Sequence, residues 1–158
     1  MSIAVPINTL EQTYACANRF AGVVLGLRRV YLRGEIGAGK TTFVAAVLRA
    51  LGHAGVVRSP TFTFVEPYVV ATADIYHLDL YRLERPADVE FLGIADYLEE
   101  GIAFVEWPER ASGRIPDPDI DLRIQSVDDV RTLVLAGISV QGQTALTAFE
   151  RHLSDLRE

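Results

Sequence analysis

Residues 34–41 read Gly34-Glu35-Ile36-Gly37-Ala38-Gly39-Lys40-Thr41, the spacing G-x-x-x-x-G-K-[ST] of a phosphate-binding loop. Such a loop constrains the fold because it works only between a strand and a helix. Its neighbours supply both. Arg28 to Arg33 reads as a short strand carrying apolar Val30 and Leu32. From Thr41 to Leu51, Val44, Val47, Leu48 and Leu51 recur at helical spacing, with Gly52 placed to cap the end. The amides of residues 37–42 then ring an anion at a helix N-terminus, where the helix dipole favours negative charge. This makes Gly37, Ala38, Gly39, Lys40, Thr41 and Thr42 the candidate phosphate-binding residues, with the Thr41 hydroxyl a candidate ligand for Mg²⁺. Lys40 is the only lysine, and the other fourteen basic residues are arginines. A compact ammonium on a flexible stem lies between phosphate oxygens where a planar guanidinium fits badly.

The 158 residues suit one domain, residues 1–158, and 49% apolar residues suffice for a real core. No apolar run approaches the ~20 residues of a membrane span. Met1 to Asn8 lacks the basic start and long apolar stretch of a signal peptide. Cys16, the single cysteine, has no partner for a disulfide or a zinc cluster, and is expected to pack within a helix. These features lead us to expect a cytoplasmic protein without zinc or membrane contact. A net charge of −6 argues against gripping nucleic acid unaided, although a partner can present it.

Around the loop the pattern is that of an α/β layer. Ile3 to Ile7 suggests a first strand, and Thr9-Leu10-Glu11-Gln12 has capping-box spacing for a helix to about Val24. Phe62 to Val70 and Ala73 to Tyr81 read as strands. Pro86 to Leu92 and Ile94 to Glu99 read as short helices separated by Gly93. Gly101 to Glu106 is a buried apolar strand ending in an acid. Ile120–Gln125 and Arg131–Ala136 alternate around Asp128-Asp129 as an antiparallel hairpin, and a last helix runs from Ser139 or Gln141 to Leu156. The expected fold is a P-loop NTPase-like α/β domain with a mixed, mostly parallel sheet flanked by helices.

A P-loop site needs carboxylates at strand ends near the loop. Glu106, after four apolar residues, resembles the acid of a Walker B strand, or is an ordinary surface residue. Asp79 shares a strand face with Ile75, His77 and Tyr81, and a His77–Asp79 internal hydrogen bond is the simpler account of it. In Ser59-Pro60-Thr61, the Thr61 hydroxyl serves either a turn or a switch-like contact to metal or phosphate. Trp107, before Pro108, reads first as a core aromatic.

In order and spacing these blocks resemble the bacterial TsaE (YjeE) family, the small ATPases of tRNA N6-threonylcarbamoyladenosine (t6A) formation. The segments are Leu32 to Phe43, Ser59 to Tyr68, His77 to Leu83, Glu90 to Tyr97 and Val105 to Arg110. Ile36, Phe62 and Phe64 depart mildly from the family's usual residues, and nothing after about Gly137 matches a usable motif. The resemblance implies ATP and Mg²⁺ as cofactors. It implies Lys40 on phosphate, Thr41 and Glu106 on metal, and Asp79 at the metal or its water. Lys40, Asp79 and Glu106 thus become the catalytic candidates, with Thr61 in a switch-like loop and adenine contacts near Thr9 and Leu10. The implied partners are the TsaB–TsaD pair, with tRNA held through them. The resemblance also moves Trp107 towards a functional position.

Two rival classes share the phosphate cradle. A small-molecule kinase needs an acceptor domain or an Arg-bearing lid, for which Arg110 and Arg114 are the nearby residues. A nucleotide-dependent assembly factor needs binding without hydrolysis. A GTPase is disfavoured because the guanine-reading Asn-Lys-x-Asp motif requires a second lysine.

Overall fold

The computed structural model describes residues 1–70 and 72–154. In chain order the elements are β1 (Ser2–Pro6), α1 (Leu10–Val24), β2 (Arg29–Arg33), α2 (Lys40–Ala50), β3 (Val65–Val70) and β4 (Ala73–Asp79). A 3₁₀ helix at Pro86–Leu92 leads to α3 (Ile94–Glu100) and β5 (Ile102–Glu106). A second 3₁₀ turn at Pro108–Ala111 is followed by β6 (Ile120–Val127), β7 (Val130–Gly137) and α4 (Val140–Ser154). The predicted end of the last helix at Leu156 lies outside the described residues.

The strands form one sheet in the order β1-β7-β6-β2-β5-β4-β3. β2 pairs parallel with β5 and β6, and β4 pairs parallel with β5. β1–β7, β6–β7 and β3–β4 are antiparallel, so β1 runs with the central strands and only β3 and β7 run against them. The expected mixed, mostly parallel sheet is therefore observed. All five residues of β5 are buried, as a strand covered on both faces requires.

One face carries α1, α2 and α4, joined by Phe20, which meets Phe43 at 5.7 Å and Phe149 at 6.1 Å between ring centroids. All three rings are fully buried. The other face packs Tyr31, Leu78, Ala103 and Val105 against Ile94, Leu98 and the 3₁₀ segments. The Thr9–Gln12 capping box forms as its spacing predicts, with Gln12 N–H donating to Thr9 Oγ1 at 3.1 Å. Cys16 is buried in α1, and burial pushes its thiol up to about 12.

The strand expected from Phe62 begins only at Val65. Phe64 instead takes a left-handed conformation (φ 64°), and its N–H donates to Pro60 O at 2.7 Å. This turn carries Thr61 back towards the end of β4. β4 likewise stops at Asp79 rather than Tyr81, because the Asp79 carboxylate accepts the Tyr81 N–H at 2.9 Å and bends the chain away.

Candidate functional site

The site gathers at the C-terminal ends of β2, β4 and β5. Gly39, at φ 109°, caps α2 without a side-chain hydrogen bond, a backbone geometry that favours glycine. Residues Gly37, Ala38, Gly39, Lys40, Thr41 and Thr42 line one small cavity of about 180 Å³ together with Glu106. The predicted phosphate residues and the predicted metal acid thus share one space.

Lys40 is 5% exposed, and its Nζ donates to Gly34 O at 2.6 Å and Glu35 O at 2.9 Å. The same ammonium stands 4.6 Å from the centre of the Trp107 ring, a cation–π distance. Burial holds the ammonium below its ordinary value, while the negative charges of Glu106, Asp79, Glu109 and Glu35 oppose that shift.

Asp79 and Glu106 are partners in the β4–β5 register, so their side chains leave the sheet on the same face. Glu106 is 3% exposed and accepts the Thr41 hydroxyl at 2.9 Å on Oε2. Asp79 accepts the Thr61 hydroxyl at 3.1 Å, and Thr61 in turn meets Ser59 Oγ at 2.7 Å. Burial raises the Asp79 carboxyl above its usual range; Glu106 adds to this, and the Tyr81 amide and Thr61 hydroxyl oppose it.

The alternative His77–Asp79 hydrogen bond is overturned. His77 Nε2 meets Glu106 Oε2 at 2.7 Å, diagonally across to β5. A carboxylate only accepts, so the imidazole proton belongs on Nε2. Nδ1 is then a buried lone pair with no partner among the described residues. Trp107 packs against the edge of the second core cluster, as a core aromatic would, but only partly. Its left-handed backbone (φ 57°, ψ 47°) turns a half-buried ring over Lys40 and against Tyr81, 5.0 Å away. Neither role was read from the sequence, although alternation had already put His77 on the face of Asp79.

The other predicted residues fall near or outside this cluster. The Thr9 hydroxyl is engaged in capping, whereas Leu10 is 61% exposed at the start of α1. Arg110 lies 5.3 Å from the Tyr81 ring and 5.8 Å from that of Trp107, and Arg114 is paired with Glu90 at 3.0 Å.

No group of three or more His, Cys, Asp or Glu arranged to hold a metal exists among the described residues. The donor set of Thr41, Glu106 and Asp79 nevertheless fits Mg²⁺, which takes one or two carboxylates and completes its shell with phosphate oxygens and water.

Residues 7–133 match the family described as "Threonylcarbamoyl adenosine biosynthesis protein TsaE". A tRNA threonylcarbamoyladenosine biosynthesis protein TsaE from Haemophilus influenzae is 42% identical over 137 residues, covering 83% of this chain and 87% of the relative. Proteins of the same name from Aquifex aeolicus and Bacillus subtilis are 41% and 31% identical, over 75% and 90% of this chain and 84% and 90% of theirs. A crystal structure of YdiB from Bacillus subtilis superposes with a TM-score of 0.78 over 96% of both chains; at 23% identity it speaks to the fold. With a family match spanning most of the sequence and relatives covered over most of their length, the chain belongs to the TsaE family.

Proposed function

We propose that the protein hydrolyses ATP with Mg²⁺ as the ATPase component of t6A formation on tRNA, acting with the TsaB–TsaD pair in the cytoplasm. The observation that carries the reading is the Thr41–Glu106 contact of 2.9 Å, which couples the phosphate loop to the acid ending the neighbouring strand. A hydroxyl and a carboxylate this close beside the phosphate loop are the two groups that would hold Mg²⁺.

Each residue then has a task. The amides of residues 37–42 cradle the phosphates. Lys40 exchanges the Gly34 and Glu35 carbonyls for β- and γ-phosphate oxygens, which the flexibility of its stem permits. A bound Mg²⁺ would supply positive charge to offset that of the phosphates. Thr41 and Glu106 would hold it, and His77 keeps Glu106 turned towards the loop. Asp79, already inclined to keep a proton, orients the attacking water with Thr61 beside it. The negative net charge suits a component that leaves tRNA to its partners.

The test measures ATP turnover by wild type and Lys40→Ala, each with and without purified TsaB–TsaD. Slow turnover alone, acceleration by the partners and loss of both in Lys40→Ala are expected. Partners that neither bind nor alter turnover would remove the functional content of the reading, and full-speed hydrolysis by the isolated chain would remove the need for them.

A further inference from the structure

The phosphate loop has two unlike flanks. β5 and β4 bring Glu106 and Asp79 to one side, and β6 and β7 lie on the other. On the ATP-site reading above, the terminal phosphates would face the acids, and the nucleoside end would leave over β6 and β7. That side holds an open groove of about 910 Å³, bounded by Gly37, Ala38, Ile124, Val127 and Arg131.

Arg131 is aimed back at the loop. Its Nη1 lies 3.8 Å from the place a Cβ on Gly39 would occupy, directly beside the cap of α2. The backbone that carries it is fixed. Asp128 and Asp129, at φ 50° and 62°, form the tight tip of the β6–β7 hairpin and set Val127 opposite Val130. Arg131 N–H donates to Asn8 Oδ1 at 2.7 Å, and Arg131 O accepts from Ile7 N–H at 2.9 Å. Asn8 is itself tied to the α1 cap through Gln12 Oε1 at 2.7 Å. Among the described residues the guanidinium has neither an ion pair nor a hydrogen bond. Of the other arginines lining the groove, Arg33 is already neutralised by Asp121 at 2.8 Å and Glu109 at 3.3 Å, and Arg123 does not come within 4 Å of the Gly39 Cβ position.

We propose that Arg131 binds the nucleoside end of the nucleotide, its guanidinium donating to the α-phosphate from the flank opposite the acids. The proposal rests on the ATP-site reading above. It assigns Arg131 to ground-state affinity, since a donor at the α-phosphate meets the same charge before and during transfer of the γ-phosphoryl group.

The test is calorimetric titration of the full chain with ADP and with ATP in EDTA, for wild type, Arg131→Ala and Arg131→Lys, followed by steady-state turnover with Mg²⁺. Arg131→Ala should weaken both nucleotides by the same factor, about tenfold for one charge-assisted hydrogen bond. Arg131→Lys should recover part of that loss. In turnover the defect should appear in KM with kcat held within about twofold. Unchanged affinity for both nucleotides, or a fall in kcat without a rise in KM, overturns the assignment. The latter result would make Arg131 an arginine finger. Should wild type bind neither nucleotide, the ATP-site reading itself fails, and this is distinct from a failure confined to Arg131.

Discussion

A carboxylate ending a strand can turn several ways unless something holds it, and Glu106 is held from two sides by Thr41 and His77. The Thr41 contact is one that a bound metal would take over, whereas the His77 contact could persist. On the proposed reading, His77 would act as a positioning residue through Glu106. Replacing it by phenylalanine keeps a ring in the core but removes the donor. The Mg²⁺ concentration for half-maximal turnover should then rise about tenfold, within the range for lost outer-shell partners. Magnesium titrations of ATP turnover, set beside melting curves, check this. A lower melting temperature with an unchanged Mg²⁺ requirement would reduce His77 to a structural role. The sequence placed His77 and Asp79 on one strand face, and that much was correct. Which acid the imidazole meets depends on the β4–β5 register, and register is a tertiary property that one strand's pattern does not contain.

Elements whose apolar pattern and caps agree were legible: α1 from its capping box, α2 from its periodicity, β5 from its apolar run. The segment from Phe62 to Phe64 was not, because an aromatic and β-branched run favours a strand whenever only its own residues are counted. Hydrogen bonds from elsewhere overrule it. Asp79 N–H donates to Phe64 O at 3.0 Å, and Thr61 reaches the Asp79 carboxylate. Strained left-handed residues at Phe64 and Trp107 accordingly bracket the site. A second illegible feature is the approach of α4 to the sheet. A Cβ on Gly142 would fall inside contact with the Asp119 carbonyl, so the helix sits where only glycine fits. Gly142→Ala must push α4 outward and loosen Phe149 from Phe20, costing about 1–3 kcal/mol. Gly26→Ala meets nothing within 4 Å and should leave stability equal or slightly higher. Chemical denaturation of the two variants checks the opposite signs, and a neutral Gly142→Ala would show that the close approach is not tight.

Across the whole molecule, the two ends of the sheet treat a buried carboxylate in opposite ways. Asp79 lies at the C-terminal ends of the parallel strands, and Asp119 lies just before β6 at their N-terminal ends. Burial raises Asp119 too, but the Ser139 hydroxyl at 2.5 Å and the Arg28 and Arg29 amides at 2.7 and 3.0 Å outweigh it. Its carboxyl ends below the usual range. Asp119 thereby ties the starts of β2 and α4 to β6, a structural task, whereas at Asp79 burial disfavours the charged form. Linkage makes the difference measurable. A depressed folded value means that Asp119 stabilises above the unfolded value of about 3.9 and loses this as pH falls through the folded value. A raised folded value means that Asp79 favours the fold below about 3.9 and loses this as pH rises through its folded value. Melting curves of the free protein from pH 3 to 7 should separate them. Asp119→Asn should melt below wild type at neutral pH, with the gap closing as acid protonates the native residue. Asp79→Asn should melt above wild type at neutral pH while losing ATP turnover, with its gap closing as pH falls towards 4. Gaps of the same sign for both variants would mean that the two ends of the sheet do not differ in this way.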